Sequence, residues 1–192
     1  MILLGAQDKS PSLEFFVTAY SVTGNVATTT TVIGIMLCIV FNVVNVVMEE
    51  GFFRGLFTKL GMQKVSFMTS NVIASLLFGL WHVAMPVRSY LDGDMTPAGM
   101  IASSMFYVVT ASLMGFLLGL LSRMTGGLWA SMGVHFVNNT VINLLHVRTV
   151  TGLDEMQAIR VGITQTLLFV GVVLAYIIWC RRHAPALQLD NK

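Results

Sequence analysis

Three short runs in this chain set ionisable or amide side chains among almost wholly apolar neighbours: Glu49-Glu50-Gly51-Phe52-Phe53-Arg54, Phe78-Gly79-Leu80-Trp81-His82 and His135-Phe136-Val137-Asn138-Asn139. Glu50 and Arg54 stand at i and i+4 on one helical face, with the acid N-terminal to the base, the better orientation for a pair. Glu50 is thereby explained as the partner of Arg54, and both are read as structural support. Glu49 points about 100° away around the helix and is left without a local partner. His82 is the only ionisable side chain of its run, which on its own describes a hydrogen-bonded packing residue. His135 and Asn139 again share a face at i and i+4, and on their own they describe polar glue between helices.

Taken together the three runs say more. A carboxylate, two imidazoles and a carboxamide supply every part needed to hydrolyse an amide with water. Removing a carboxylate from bulk water disfavours its charged form, which makes it a usable base and proton carrier near neutral pH. An imidazole can then orient the water. The oxyanion that develops needs preorganised donors, and an imidazole N–H with an amide N–H one turn away is a suitable pair. Glu49, His82, His135 and Asn139 are the candidate catalytic residues.

The elements that must position them are membrane spans. Of the 192 residues, 55% are hydrophobic and only 10% charged, with a mean hydropathy of +0.78; a water-soluble domain carries about 25% charged residues. Apolar stretches at about 27–50, 66–85, 98–121, 128–147 and 161–180 approach the roughly 20 residues a helical span requires. A weaker segment, 13–26, reads either as an interfacial helix or as part of a span with 27–35. The expected fold is therefore an all-α polytopic bundle of five to six transmembrane helices in a single domain over 1–192. Simple alternation of five spans would leave Glu49 near one membrane face and His82 near the other. A helix that starts near residue 36 and runs on to about residue 60 sinks the glutamates toward mid-membrane, and this version is preferred. Breaks are expected at Gly61, from Pro86 to Pro97, at Gly126-Gly127 and at Thr151-Gly152. Gly115 and Gly119, spaced as GxxxG, are expected to admit a neighbouring helix.

An ionisable group at membrane depth costs at least ~2.5 kcal/mol on insertion scales, so each of the three clusters calls for a partner or a purpose. With alternating spans, Arg54, Lys59, Lys64, Arg123, Arg181, Arg182 and Lys192 collect on one side, and Lys9, Arg88, Arg148 and Arg160 on the other. The more basic side is expected to be cytoplasmic, and with it the C-terminus. The N-terminus lacks the basic start and cleavage site of a secretory signal, so the first span is expected to direct insertion. A net charge of +2 with scattered basic residues excludes nucleic acid as a partner. Cys38 and Cys180 lie inside apolar runs and behave as small hydrophobes. The expected partners are the lipid bilayer and a peptide or protein substrate at the membrane.

At these residues the sequence resembles the CPBP family, the CAAX-processing and bacteriocin-processing intramembrane proteases also called the Abi family. The family's EExxxR appears as Glu49 to Arg54, its FxxxH as Phe78 to His82, and its HxxxN as His135 to Asn139, in the family's order. The resemblance implies that Glu49 and His82 activate water, that His135 and Asn139 stabilise the oxyanion, and that Glu50 and Arg54 are structural. It implies substrates cleaved at or near the membrane, either C-terminal tripeptides of prenylated proteins or leader segments of bacteriocin-like peptides. A short chain suits a prokaryotic cell membrane. No HExxH, GxGD or GxSG motif of the other intramembrane protease classes is found.

No cofactor is expected. The alternative is Zn²⁺ held by Glu49, His82 and His135 with water in the fourth position, against which no two histidines lie one turn apart on a single helix. The non-enzymatic alternatives are a transporter, for which the sequence shows no internal repeat, and a bacteriocin-immunity or other membrane binding protein.

Overall fold

Hydroxyl side chains set three of the helix starts. In the computed structural model, which describes residues 12–15, 31–148 and 157–187, Thr31 accepts from the Gly34 amide at 3.0 Å and opens α1 (Val32–Glu50). Ser66 accepts from Thr69 at 3.3 Å and opens α3 (Phe67–Trp81). Thr96 accepts from Gly99 at 3.1 Å, with Pro97 in the first turn, and opens α5 (Pro97–Thr125). Each oxygen satisfies an amide that has no partner inside its own helix. Between these lie a π-helical stretch (Gly51–Phe57) that continues α1 into the short α2 (Thr58–Gly61), and α4 (Ala84–Leu91) directly after α3. Gly126, at φ 70°, takes the left-handed turn that ends α5. Then follow α6 (Trp129–Leu144) and α7 (Gln157–Leu187).

Four helical stretches, Val32–Gly61, Phe67–Leu91, Pro97–Thr125 and Ile159–His183, are long and apolar enough to cross a membrane. The distribution of polarity agrees. Val32, Phe41 and Leu167 are 78%, 62% and 69% exposed, whereas Glu50 and Ser131 are fully buried and Asn42 and Asn71 are 1% exposed. Such an inversion is untenable in water, where a continuous apolar exterior drives association. In a bilayer, lipid tails are as apolar as leucine, and helices associate through small residues and polar contacts instead. The chain is an integral membrane protein built as a helical bundle.

Helix α5 is its centre, packed against α3, α4, α6 and α7. Its expected helix-facing glycines do this work: a Cβ on Gly119 would collide with the side chain of Asn71, and one on Gly115 would come within 2.7 Å of Arg54 and 3.3 Å of the Ser75 backbone. Asn71 donates from Nδ2 to the Phe116 carbonyl at 3.1 Å across the same α3–α5 contact. On the other side Met114, Leu117, Leu118 and Leu120 form an apolar core with Val172 of α7.

Several boundaries differ from expectation, each for a physical reason. The first long helix does run to Gly61, as the preferred version requires, but it starts at Val32 rather than near 36 because Thr31 supplies the cap. The expected span 128–147 is helical only over Trp129–Leu144 and then becomes the strand β2 (Leu145–Arg148). This helix carries buried Ser131 and His135 against neighbouring helices, so it need not meet the length of a lipid-facing span. The break expected from Pro86 begins instead at Asp92, because Pro86 occupies the first turn of α4, where a missing amide hydrogen is tolerated. Finally, the fold is not wholly helical: β1 (Ser12–Phe15) pairs antiparallel with β2, Leu13 opposite Val147. Residues 13–15 of the weak segment are thus strand, and its remainder, 16–26, lies outside the described residues.

Candidate active site

The end of α1 delivers Glu49 and Glu50 side by side into the bundle, 4% and 0% exposed. A π-helical stretch starts immediately after them, with the Thr58 amide reaching back five residues to the Phe53 carbonyl. Such i→i+5 turns are rare and concentrate at functional sites. Arg54, inside this stretch, still meets Glu50: Nη1 stands 3.0 Å from Oε1, with both side chains buried. The pair read from i, i+4 spacing exists.

Glu50 has a second partner that spacing could not reveal. Nδ1 of His135 stands 2.9 Å from the same Oε1. Since a carboxylate only accepts, Nδ1 carries the hydrogen and donates it. The ring's other nitrogen, Nε2, is thereby turned toward Glu49, 3.5 Å from its Oε2. Glu49 Oε2 makes no hydrogen bond among the described residues. Two carboxylates and one guanidinium leave one negative charge unbalanced in a low-dielectric interior, where an uncompensated charge is severely penalised.

His82 sits at the end of α3. Its Nδ1 stands 2.8 Å from the Phe78 carbonyl, to which it donates, leaving Nε2 as an acceptor. Phe78 is the spacer of the site: its ring lies 4.6 Å from the His82 ring, 5.8 Å from the His135 ring and 4.3 Å below the Arg54 guanidinium. On α6, Asn139 accepts from Asn138 Nδ2 at 3.4 Å through its oxygen, which leaves its own N–H groups to donate. A hydrogen bond of 3.2 Å from Asn143 to Asn42 ties α6 to α1 and fixes the approach of His135 to the glutamates.

Glu49, His82, His135 and Asn139 all line one cavity of about 720 Å³, whereas Glu50 and Arg54 stand behind it. The four expected site residues are therefore brought together, and the expected supports lie outside the cavity wall. The sequence reading passed over the rest of the lining. Tyr107 of α5 stacks over His82, rings 6.4 Å apart and 20° from parallel. Asn45, Asn138, Asn143 and Gln165 also line the cavity, and Gln165 donates to Asn138 at 3.2 Å. Carboxamides inside apolar stretches were the signal available for them. Phe41, Val44, Met48 and Trp81 line the same cavity and are about half exposed on the apolar exterior, so the cavity opens sideways toward lipid. Beside it, sharing Asn138 and Ile142, lies an almost wholly apolar chamber of about 600 Å³ with Arg160 in its wall.

Glu49, His82 and His135 share the cavity without closing around one point. Among the described residues no group of three or more His, Cys, Asp or Glu side chains stands where a single metal ion could be held. Zn²⁺ on these three residues does not fit this arrangement.

No curated protein and no solved structure matches the chain. A family model does: type II CAAX prenyl endopeptidase Rce1-like, over residues 30–141. That range contains all three motifs and more than half of the chain, and it ends just beyond Asn139. The chain belongs to the type II CAAX prenyl endopeptidase Rce1-like family, a membrane-embedded group of CAAX-type peptidases.

Proposed function

We propose that this protein cleaves a peptide bond of a membrane-associated substrate with a water molecule activated by Glu49. The observation that carries the proposal is the approach of His135 Nε2 to Glu49 Oε2, 3.5 Å apart at the wall of a cavity that His82 and Asn139 also line. In the proposed mechanism Glu49 is the ionised base, and His135 carries a hydrogen on Nε2 and donates from it. Glu49 takes a proton from water as the water oxygen attacks the peptide carbonyl carbon. Nε2 of His82, an acceptor, orients that water. The carbonyl electron pair moves onto oxygen, where His135 and the Asn139 amide donate to it. Collapse of the tetrahedral species breaks the C–N bond, and the departing nitrogen takes the proton from Glu49. Fixed donors of this kind are worth about 10²–10³-fold in rate each.

The proposed site works without metal, and its substrate is a peptide or protein reached through the bilayer. The lateral opening beside Phe41 and Trp81 supports this, and the adjoining apolar chamber supports a substrate carrying a lipid or an apolar segment next to the scissile bond. Prenylated C-termini and leader peptides both satisfy that description. A C-terminus on the cytoplasmic side accords with Lys59, Lys64 and Arg123 at one end of the bundle. The proposal is tested by comparing peptide termini in membranes that express the wild type or Glu49→Gln. New termini that depend on Glu49 support it; identical sets oppose it.

A further inference from the structure

Gln165 stands inside the apolar, membrane-crossing stretch Ile159–His183 of α7. A carboxamide taken out of water needs a partner for the hydrogen bonds that water supplied. Gln165 has one across the cavity: its Nε2 donates to Oδ1 of Asn138 on α6 at 3.2 Å. Asn138 passes the bond on, donating from Nδ2 to Oδ1 of Asn139 at 3.4 Å. All three side chains line the cavity that Glu49, His82 and His135 also line. Helix α7, which packs on the α5 core through Leu168, Phe169 and Val172, thus reaches the site through a chain of three carboxamides.

The chain has a direction. A carboxamide accepts on one side and donates on the other, and a half-turn exchanges the two with almost no change of shape. Packing cannot choose between these orientations, so hydrogen bonding must. With Gln165 donating, Asn138 turns its oxygen to α7 and its Nδ2 to Asn139. The Asn139 oxygen is then occupied, and its N–H groups are left to donate. Turned the other way, Asn139 would set an oxygen against a developing oxyanion, where catalysis needs a donor. The Asn138–Asn139 bond is the longer of the two, and a bond received by the Asn138 oxygen strengthens the one its Nδ2 gives. We propose that Gln165 is a positioning residue for peptide hydrolysis: through Asn138 it holds the Asn139 carboxamide with its N–H groups toward the reacting carbonyl. This rests on the reading of Asn139 as an oxyanion donor. Gln165 itself lies outside the three motifs and outside the residues matched by the family model, 30–141.

The test combines a readout of the bonds with a readout of turnover, both on the full chain. Gln165→Met removes the donor, keeps a side chain of similar length and suits an apolar helix. In protein labelled with ¹⁵N-asparagine, the side-chain N–H signals of Asn138 and Asn139 are assigned from Asn138→Ala and Asn139→Ala. Gln165→Met is expected to move both signals; a shift confined to Asn138 overturns the proposal. For turnover, equal amounts of wild type or variant are reconstituted into vesicles of membranes from cells that lack the chain. The initial rate at which Glu49-dependent peptide termini appear is recorded with each melting temperature. Gln165→Met is expected to slow that rate about tenfold, short of the roughly 10²–10³-fold cost of losing an oxyanion donor outright, with melting near that of wild type. Thr166→Val is the control: its hydroxyl donates within α7, to the Gly162 carbonyl at 2.7 Å, and a loss equal to that of Gln165→Met would mean a general disturbance of the helix and overturn the proposal. In an Asn139→Ala background Gln165→Met is expected to add no further slowing. An equal slowing there, or a wild-type rate in Gln165→Met beside a slow Asn139→Ala, overturns the positioning role and leaves the hydrolytic reading standing. A wild-type rate in Asn139→Ala would remove the oxyanion role and this inference with it, and termini that appear equally with Glu49→Gln would overturn the hydrolytic reading as a whole.

Discussion

His135 donates to Glu50 across 2.9 Å of space and 85 residues of sequence, and this bond sets which face of the imidazole meets Glu49. Glu50 is thus more than the counter-ion of Arg54. Removing its charge leaves a buried guanidinium uncompensated and frees the ring to rotate. Breaking one side of a buried pair typically costs about 3–5 kcal/mol. Glu50→Gln is expected to lose stability on that scale, measured by thermal or denaturant unfolding in detergent. Replacing both partners, as in Glu50→Gln with Arg54→Met, is expected to recover more than half of the loss. A double variant no more stable than the single would contradict the pairing.

Phe78 separates the imidazoles of His82 and His135 and carries Arg54 on its face. It is 2% exposed. Phe78→Ala is expected to destabilise by about 3–5 kcal/mol, and Phe78→Leu, which keeps most of the volume, by less than about 1.5 kcal/mol. If the ring positions the histidines, Phe78→Leu still lowers kcat while its melting temperature stays near that of wild type. An unchanged kcat in Phe78→Leu would leave the ring a packing role alone.

The close contact of α3 with α5 rests on Gly119 and Asn71. Gly119→Ala is expected to cost about 1–3 kcal/mol through overpacking. Asn71→Ala in the same chain removes the obstructing amide, and the double variant is expected to be more stable than the sum of the two single effects. Strict additivity in unfolding measurements would show that the two residues do not oppose one another.

Much of this site was legible because its evidence is local. Glutamate, histidine and asparagine inside apolar runs are conspicuous, and i, i+4 spacing correctly joined Glu50 to Arg54. Spacing within one helix cannot see a partner on another, so the bond from Glu50 to His135 was missed. The π-helical stretch was likewise hidden, since Gly51 to Phe57 has no composition that separates it from an α-helix. The bundle was readable from hydropathy, but the strand pair was not. β1 and β2 are four residues each, too short for a period-two pattern to emerge beside long apolar helices. Asn42, Asn45, Asn143 and Gln165 were visible as amides in apolar runs, yet only the folded arrangement turns them toward one cavity or ties α6 to α1.

Metal removal separates hydrolysis by Glu49 from a zinc mechanism. If, as proposed, Glu49 and His135 supply base and donor directly, activity of the purified protein is expected to withstand prolonged dialysis against a chelator, with less than about twofold change. Loss on chelation with recovery on adding Zn²⁺ would overturn this.

A binding or immunity role makes a different demand on the same residues. Any protective effect of the protein in its host is expected to disappear in Glu49→Ala, His82→Ala and His135→Ala alike, measured as survival at equal membrane abundance. Protection that persists in all three variants would favour binding over cleavage.

The most direct measurement is the single-turnover cleavage rate of purified Glu49→Gln relative to wild type on a substrate identified from the membrane termini, with the melting temperature of each recorded alongside. Loss of general-base function is expected to slow cleavage by about 10²–10⁴-fold while melting stays within a few degrees of wild type. Cleavage by Glu49→Gln at the wild-type rate would contradict the assignment of Glu49 as the group that activates water.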